Sequence, residues 1–258
     1  MRNKVQEKLE PKDVDLSSFA LKKELNPHFW KDGKLDKKVR RALLVIARDY
    51  MRSINLKRFK VKDIIITGSI ANYNWSEKYS DIDLHLVCNF SKISKNVDLV
   101  SSFFDAYKKN WNATHENIEI YGYSVEVYVQ SDKEEHDSSG VYSLIKDEWI
   151  AKPSLERFSG KPNNNNIKRK VAMYANRIDD LENAIKNAKD DETLQSINKD
   201  AKQLFMDIKD ARKMSLRNGH SEMTDDNLIF KALRRNGYIE KLLKIRTESY
   251  DRMLSVDL

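Results

Sequence analysis

Two aspartates one residue apart are the side chains of this sequence best suited to chemistry. Asp81 and Asp83 open the segment DIDLHLVC, whose alternating apolar residues predict a β-strand over residues 82–88. Alternate residues of an extended strand point to the same face, so we expect the two carboxylates side by side. Hard oxygen ligands of this kind suit Mg²⁺, which bridges protein carboxylates to phosphates. The pair therefore predicts a divalent-cation site for a phosphate-bearing ligand.

A later strand is expected to supply a third carboxylate. Residues 123–130 predict a strand on which alternate valines share one face, while Glu126 lies on the opposite face. If this strand lies beside residues 82–88, Glu126 becomes the third ligand, and three carboxylates can hold two metal ions. Glu119 and Asp132 remain alternatives, because a change of register by one residue exchanges the faces of a strand.

Gly68 and Ser69 follow a predicted buried strand over residues 59–67. Glycine lets the backbone approach a phosphate closely, and the Ser69 hydroxyl can donate a hydrogen bond to a phosphate oxygen. The interval between the two strands is long enough for a short helix, whose N-terminus would attract the same anion. An ordinary strand-ending turn uses the same residue types, so the combination with the two aspartates carries the interpretation.

In these residues the sequence resembles the nucleotidyltransferase superfamily, which includes DNA polymerase β, kanamycin nucleotidyltransferase and CCA-adding enzymes. The family motif is a hydrophobic strand, Gly-Ser, a short helix, Asp-x-Asp between apolar residues, and a third carboxylate on a later strand. The resemblance spans residues 61–130, about a quarter of the chain. More loosely, the whole chain resembles predicted nucleotidyltransferases encoded by large tailed bacteriophages.

The resemblance implies an α+β fold, with a mixed β-sheet backed by helices and a helical bundle after it. It implies transfer of a nucleoside monophosphate from a nucleoside triphosphate to a hydroxyl, with release of pyrophosphate. Asp81, Asp83 and Glu126 would be the catalytic residues and the ligands of two Mg²⁺ ions, for which Mn²⁺ would substitute. Gly68 and Ser69 would bind the nucleotide.

The distribution of charge bears on the acceptor. The net charge is +7, with 17 basic and 8 acidic residues in 1–60, 10 and 16 in 61–160, and 20 and 16 in 161–258. Basic ends around an acidic middle favour RNA as acceptor, because basic surfaces attract polyanions. In the terms of the resemblance, a tRNA end is one candidate. A protein hydroxyl that receives AMP and a small molecule remain alternatives, as does a noncatalytic module that binds RNA or nucleotide.

Several other residues have both a chemical and a structural interpretation. His85 shares the face of the two aspartates and either assists them or supports the sheet, and Cys88 is expected to be a small buried apolar residue. An aromatic group is a candidate for stacking on a base, and it suits packing of the loop against the core equally well. A basic group is a candidate for binding a triphosphate or an RNA backbone, and it also suits a solvated helix face. The aromatic group is Tyr73, Trp75 and Tyr79, and the basic group is Lys168, Arg169, Lys170, Lys231, Arg234 and Arg235.

The remaining pattern is helical. Helices are predicted over residues 36–55 and 97–111, and residues 118–121 are expected to form a hairpin with the strand that contains Glu126. The KPNNNN segment from Lys161 marks a boundary between a catalytic domain, residues 1–160, and a helical substrate- or partner-binding domain, residues 161–258. Two apolar stripes predict an antiparallel helical pair in the latter, followed by a break at 218–219 and one or two further helices.

The sequence also bears on compartment and partners. It contains one cysteine, no apolar run long enough to cross a bilayer and no signal-like N-terminus, so we expect a cytoplasmic protein without a membrane partner. If the chain is phage-encoded, that compartment is the host cytoplasm. The oligomeric state stays open.

Overall fold

A computed structural model describes residues 8–54, 56, 59–134, 138–158, 162–217 and 222–255. The chain divides into two compact units, one of Ser18–Arg157 and one of Met1–Ser17 with Phe158–Leu258. The second unit therefore includes an N-terminal segment that the sequence had assigned to the catalytic domain. Backbone groups of Leu9 explain this, because its N–H donates to Asn176 Oδ1 at 2.8 Å and its carbonyl accepts from Asn176 Nδ2 at 3.0 Å.

The Ser18–Arg157 unit is built on a six-stranded mixed sheet. Its elements, in chain order, are β1 (Trp30–Lys31), β2 (Lys34–Leu35), α1 (Lys37–Ile54), β3 (Val61–Thr67), β4 (Ile82–Cys88), α2 (Phe90–Ile93), α3 (Val97–Thr114), β5 (Glu119–Ile120), β6 (Tyr123–Ser131), β7 (Val141–Ser143) and β8 (Glu148–Ala151). The sheet has the order β5-β6-β4-β3-β7-β8, and β1 and β2 form a separate hairpin. The α+β fold expected from the sequence is confirmed.

Strand β4 lies in the middle of this sheet, antiparallel to β3 and parallel to β6. Its side chains alternate: Ile82, Leu84 and Leu86 are fully buried, whereas Asp83 and His85 are only half-buried. The apolar side chains share one core cluster with residues of α1 and α3, so these helices cover the apolar face. The period-two pattern of the sequence therefore decides which face packs and which remains available for chemistry.

The structure differs from the sequence-based expectations in two places. The connection between β3 and β4 was wrongly expected to contain a helix, and two strands at one edge of the sheet were missed. Residues 68–81 form turns, and the predicted short helix is absent from this fully described segment. Asparagine favours turns over helix interiors, and Asn72 donates across the fold to Ser139 Oγ, which fixes the segment by tertiary contacts. Strands β7 and β8 extend the sheet beyond β3 and were not predicted.

The second unit is helical, as the sequence predicts. Its helices are α4 (Asn164–Asn187), α5 (Asp191–Arg217), α6 (Asp225–Arg235) and α7 (Tyr238–Leu254). The predicted apolar stripes are buried, for example Ile167, Val171 and Ile178 in α4 and Leu204 in α5. The predicted break at residues 218–219 lies outside the described residues. Among the described residues, none of the helices has both the length and the apolar character needed to cross a membrane.

Candidate active site

The carboxylates of Asp81, Asp83 and Glu126 meet at one end of the sheet. One carboxylate oxygen of each lies within 4.8 Å of the others, and all three side chains are half-buried. Strand pairing explains the meeting, because Asp83 lies opposite Thr67 of β3 on one side and opposite Glu126 of β6 on the other. The structure therefore selects Glu126 as the third carboxylate. Glu119 is exposed on β5, and Asp132 instead binds Lys62 and Asn89.

The cluster is electrostatically unfavourable without a cation. Burial, and then the negative charges of Asp81 and Glu126, raise the pKa of Asp83 to about 7. A carboxylate with so high a pKa is partly protonated near neutral pH, because neighbouring like charges disfavour ionisation. A divalent cation would remove that cost, so the arrangement is better suited to holding a positive ion than to standing empty.

The donor set fits Mg²⁺ or Mn²⁺. All three candidate ligands are carboxylates, and ligands of one octahedral Mg²⁺ at about 2.1 Å lie roughly 3–4 Å apart. The present spacing within 4.8 Å needs only small side-chain rotations to reach that range. Asp81, Asp83 and Glu126 are thus the residues that would hold the ions.

Glu126 is held by two neighbours that the sequence analysis did not identify. The Tyr128 hydroxyl donates to Glu126 Oε2, and Lys108 Nζ lies 4.0 Å from the same oxygen. The ammonium of Lys108 also lies 3.4 Å from the centre of the Tyr128 ring, at the distance of a cation–π contact. Burial lowers the pKa of Lys108, and the nearby carboxylates oppose that shift. Both residues therefore belong to the immediate surroundings of the third carboxylate.

Gly68 is required by geometry at two levels. Its φ of +72° lies in the left-handed region, which residues with a Cβ adopt at a cost. A Cβ built on Gly68 would also lie 1.9 Å from Asp83 Oδ2. Only glycine therefore lets the turn after β3 lie directly against the carboxylate. The close approach in the structure is to Asp83, the carboxylate that would bind the metal, and the approach of this turn to a phosphate stays a prediction.

Ser69 is tied to the residue that precedes the first aspartate. Its hydroxyl lies 2.7 Å from the Ser80 hydroxyl, and Ser80 Oγ accepts a hydrogen bond from the Ser76 N–H at 2.9 Å. This bridge brings the two ends of the 68–81 segment together. The Gly-Ser turn therefore lies beside the aspartates, although the N-terminal helix dipole expected there is absent.

His85 and Cys88 have structural surroundings. The His85 ring stacks on Tyr128 at 4.7 Å, and its Nδ1 donates to Gln130 Oε1 at 2.6 Å. His85 thus supports the residue that contacts Glu126. Burial raises the pKa of the Cys88 thiol to about 12, so it is an inert apolar residue at neutral pH.

Of the predicted aromatic group, Trp75 belongs to the core. It is buried, and its Nε1 donates to the Glu24 carbonyl at 2.9 Å. Tyr73 and Tyr79 are half-buried, so stacking on a base stays a prediction for these two.

The predicted basic group is partly engaged within the helical unit. Lys170 Nζ lies 3.3 Å from Asp226, and Lys231 Nζ lies 3.2 Å from Glu222. Arg169 and Arg234 are exposed. Ion pairs therefore account for two of the six residues, and the exposed arginines are the better candidates for a polyanion.

A comparison with protein families agrees with the geometry. The family model described as a nucleotidyltransferase domain matches residues 48–151, which contain all three carboxylates and the Gly-Ser turn. This part of the chain is therefore similar to nucleotidyltransferase domains, as its resemblance implied. Among curated proteins none matches the chain.

A solved structure with similarity to the chain is a STING-associated CdnE c-di-GMP synthase from Capnocytophaga granulosa. The two are 13% identical, and the match covers 85% of this chain and 84% of that one with a TM-score of 0.23.

The residues that sequence reasoning missed left a signal in the helical pattern. Lys108 lies four residues after buried Phe104 and three before buried Trp111, on the packed stripe of α3. A lysine on the buried stripe of a helix indicates a nearby negative charge. Tyr128 lies on the same face of β6 as Glu126 by the period of the strand, but its contact with Glu126 depends on rotamers that the sequence does not specify.

Proposed function

We propose that Asp81, Asp83 and Glu126 hold two divalent metal ions, Mg²⁺ or Mn²⁺, and catalyse transfer of a nucleoside monophosphate from a nucleoside triphosphate to a hydroxyl. The observation that supports this most strongly is the cluster of three carboxylates within 4.8 Å, with Gly68 pressed against Asp83. The metal ions, when bound, would orient the triphosphate and offset the charge that develops at phosphorus.

The reaction makes one bond and breaks one. The acceptor oxygen attacks the α-phosphorus, and the bond from that phosphorus to the oxygen bridging toward the β-phosphorus breaks, so pyrophosphate leaves with the electron pair. Glu126 accepts the proton of the acceptor hydroxyl, with Tyr128 holding the carboxylate in place. Gly68 and Ser69 contact the phosphates from the turn after β3.

The acceptor we propose is RNA. Support comes from the net charge of +7 and from the exposed arginines of the helical unit, Arg169 and Arg234. Residues 161–258 are accordingly proposed as the substrate- or partner-binding domain. The cytoplasmic location and the phage origin expected from the sequence stay predictions.

The test is transfer of label from each of the four α-labelled nucleoside triphosphates into total RNA and into total protein, with Mg²⁺ or Mn²⁺. The control is Asp81→Asn with Asp83→Asn in one chain. We expect label in RNA that the control does not incorporate. Label in protein would replace RNA by a protein hydroxyl. No label in either fraction, with the fold intact, would contradict the RNA proposal and leave a small-molecule acceptor or a noncatalytic binding module.

A further inference from the structure

The positively charged side chain of Lys108 lies beside the carboxylate cluster. Lys108 Nζ lies 4.0 Å from Glu126 Oε2, and the lysine side chain is 28% exposed. The charges of Glu126, Asp83 and Asp81 all act on this ammonium. It is therefore close enough to the proposed metal ligands to affect any ion that binds them.

The fold fixes this lysine at the cluster. Helix α3 packs along the edge of β6, where Asn112 Oδ1 accepts a hydrogen bond from the Val127 N–H at 3.3 Å. Lys108 lies one helical turn before Asn112. Its ammonium lies over the face of the Tyr128 ring, and this cation–π contact holds it in place. The position is thus built by secondary structure and by an aromatic platform, unlike that of an exposed lysine such as its neighbour Lys109.

A fixed positive charge has opposite effects on the empty and on the metal-bound site. Without metal it offsets part of the repulsion among three carboxylates. With metal it repels a divalent ion bound to the same carboxylates, and at this range in a half-buried site the repulsion exceeds that of exposed charges. One residue therefore stabilises the metal-free cluster and weakens its affinity for metal.

We propose that Lys108 is a resident counter-cation of the Asp81, Asp83 and Glu126 cluster, which stabilises the metal-free protein and weakens the binding of a free divalent ion. The inference rests on the proposed metal site. It concerns metal affinity in the absence of nucleotide, so it can be tested without any measurement of transfer.

The experiment is a titration of the full chain with Mn²⁺ alone, followed by electron paramagnetic resonance, at about pH 8 so that Asp83 is ionised. For Lys108→Met we expect Mn²⁺ to bind roughly tenfold more tightly than to the unaltered chain. Lys108→Arg keeps the charge and is expected to bind as the unaltered chain does. The matched control is Lys109→Met on the same helix, for which no change is expected.

Thermal unfolding supplies a second readout. In the metal-free protein Lys108→Met should unfold at a lower temperature than Lys109→Met, and saturating Mn²⁺ should remove the difference. Should Lys108→Met fail to fold, Lys108→Gln provides the same loss of charge with a polar side chain.

Two results would overturn the inference, and they differ in what else they affect. A folded Lys108→Met that binds Mn²⁺ equally or more weakly would show that the lysine only positions Glu126, and the proposed function would stand. Absence of Mn²⁺ binding to the unaltered chain and to every variant would overturn the metal site as well, and with it the proposed function.

Discussion

The two compact units each contain a cluster of acidic side chains, and the two clusters differ in how closely cations approach them. In the Ser18–Arg157 unit Asp81, Asp83 and Glu126 lie together, with like charges within 4.8 Å. In the helical unit Lys241 Nζ lies 2.7 Å from Asp179 and 3.3 Å from Glu182, so these two acids share a cation. The pKa of Glu182 is accordingly lowered, its lysine contacts outweighing the opposing effect of burial, whereas that of Asp83 is raised.

This difference is the one expected between residues proposed to serve binding and catalysis and residues that stabilise the fold. Paired charges in a partly buried setting stabilise a helical framework or are neutral to it. Three carboxylates that strand register holds close together, with a single lysine beside them, reduce stability, and such perturbed groups concentrate at functional sites. The sheet unit therefore carries an electrostatic cost that a metal ion would relieve, while the helical unit carries none of that kind among the residues compared.

The largest expected effect is that of Asp83→Asn. It should lower transfer by about 10³-fold or more, because the metal site loses a central ligand. In the metal-free protein the same change should leave the unfolding temperature unchanged or raise it, since it removes a repelling charge. The four tryptophans, Trp30, Trp75, Trp111 and Trp149, all lie in the sheet unit, so tryptophan fluorescence follows the unfolding of that unit. The matched control is Asp98→Asn, an exposed aspartate of α3; loss of stability in Asp83→Asn alone would contradict the comparison.

Next in size is Gly68→Ala compared with Gly237→Ala. Both glycines have positive φ, +72° and +76°, but a Cβ at Gly237 meets nothing within 4 Å while one at Gly68 meets Asp83. We expect Gly237→Ala to cost about 1 kcal/mol and Gly68→Ala to cost a few kcal/mol and most of the activity. Chemical denaturation and the transfer assay measure both. Equal costs in the two variants would mean that Gly68 serves only the turn.

A smaller effect is expected from Lys241→Met in the helical unit. It leaves Asp179, which is 8% exposed, without its ammonium partner. We expect a loss of about 1–2 kcal/mol, reduced from the value for a fully buried pair because the lysine is partly solvated. Far-UV circular dichroism during denaturation should detect it, with exposed Lys244→Met as control. A variant as stable as the control would mean that the helical charges, too, contribute nothing to the fold.

The smallest effect concerns pH. The pKa of Asp83 in the folded state is raised to about 7, so between about pH 4 and pH 7 the folded protein binds a proton that the unfolded chain has released. The contribution of protonated Asp83 to stability is therefore full below about pH 4 and is lost as the pH rises through 7. After allowance for partial exposure we expect about 1 kcal/mol, or roughly 2–4 °C in unfolding temperature.

Two conditions should remove this pH dependence from the tryptophan signal of metal-free protein. One is Asp83→Asn, and the other is saturating Mg²⁺, because metal binding keeps the carboxylate ionised. Metal affinity should correspondingly rise up to about pH 7 and then level off. If the unfolding temperature of Asp83→Asn changed with pH as steeply as that of the unaltered protein, the pH dependence would belong to other groups.

The carboxylates could be predicted because their placement follows from local rules. Asp81 and Asp83 share a face by the period of a strand, and Glu126 follows once β6 lies beside β4, which its alternating valines favour. The fold class followed from the family resemblance that these residues carry, together with the helical stripes beyond residue 161. These features depend on few long-range contacts, so the sequence is sufficient.

The features that escaped prediction depend on tertiary structure. Strands β7 and β8 have three and four residues, too few for a recognisable period. They form because β7 pairs with β3 and β8 pairs with β7. The helix expected after Ser69 was wrong because contacts such as that of Asn72 with Ser139 fix a series of turns. Lys108 was not singled out from the sequence, because only the path of α3 along β6 brings it to Glu126.

The most direct test of the central claim is anomalous diffraction from crystals grown with Mn²⁺ and a non-hydrolysable nucleoside triphosphate analogue. We predict Mn²⁺ within about 2.2 Å of carboxylate oxygens of Asp81, Asp83 and Glu126, with the triphosphate beside the Gly68–Ser69 turn. A nucleotide bound in that position without metal at the three carboxylates, or metal bound only elsewhere, would contradict the account.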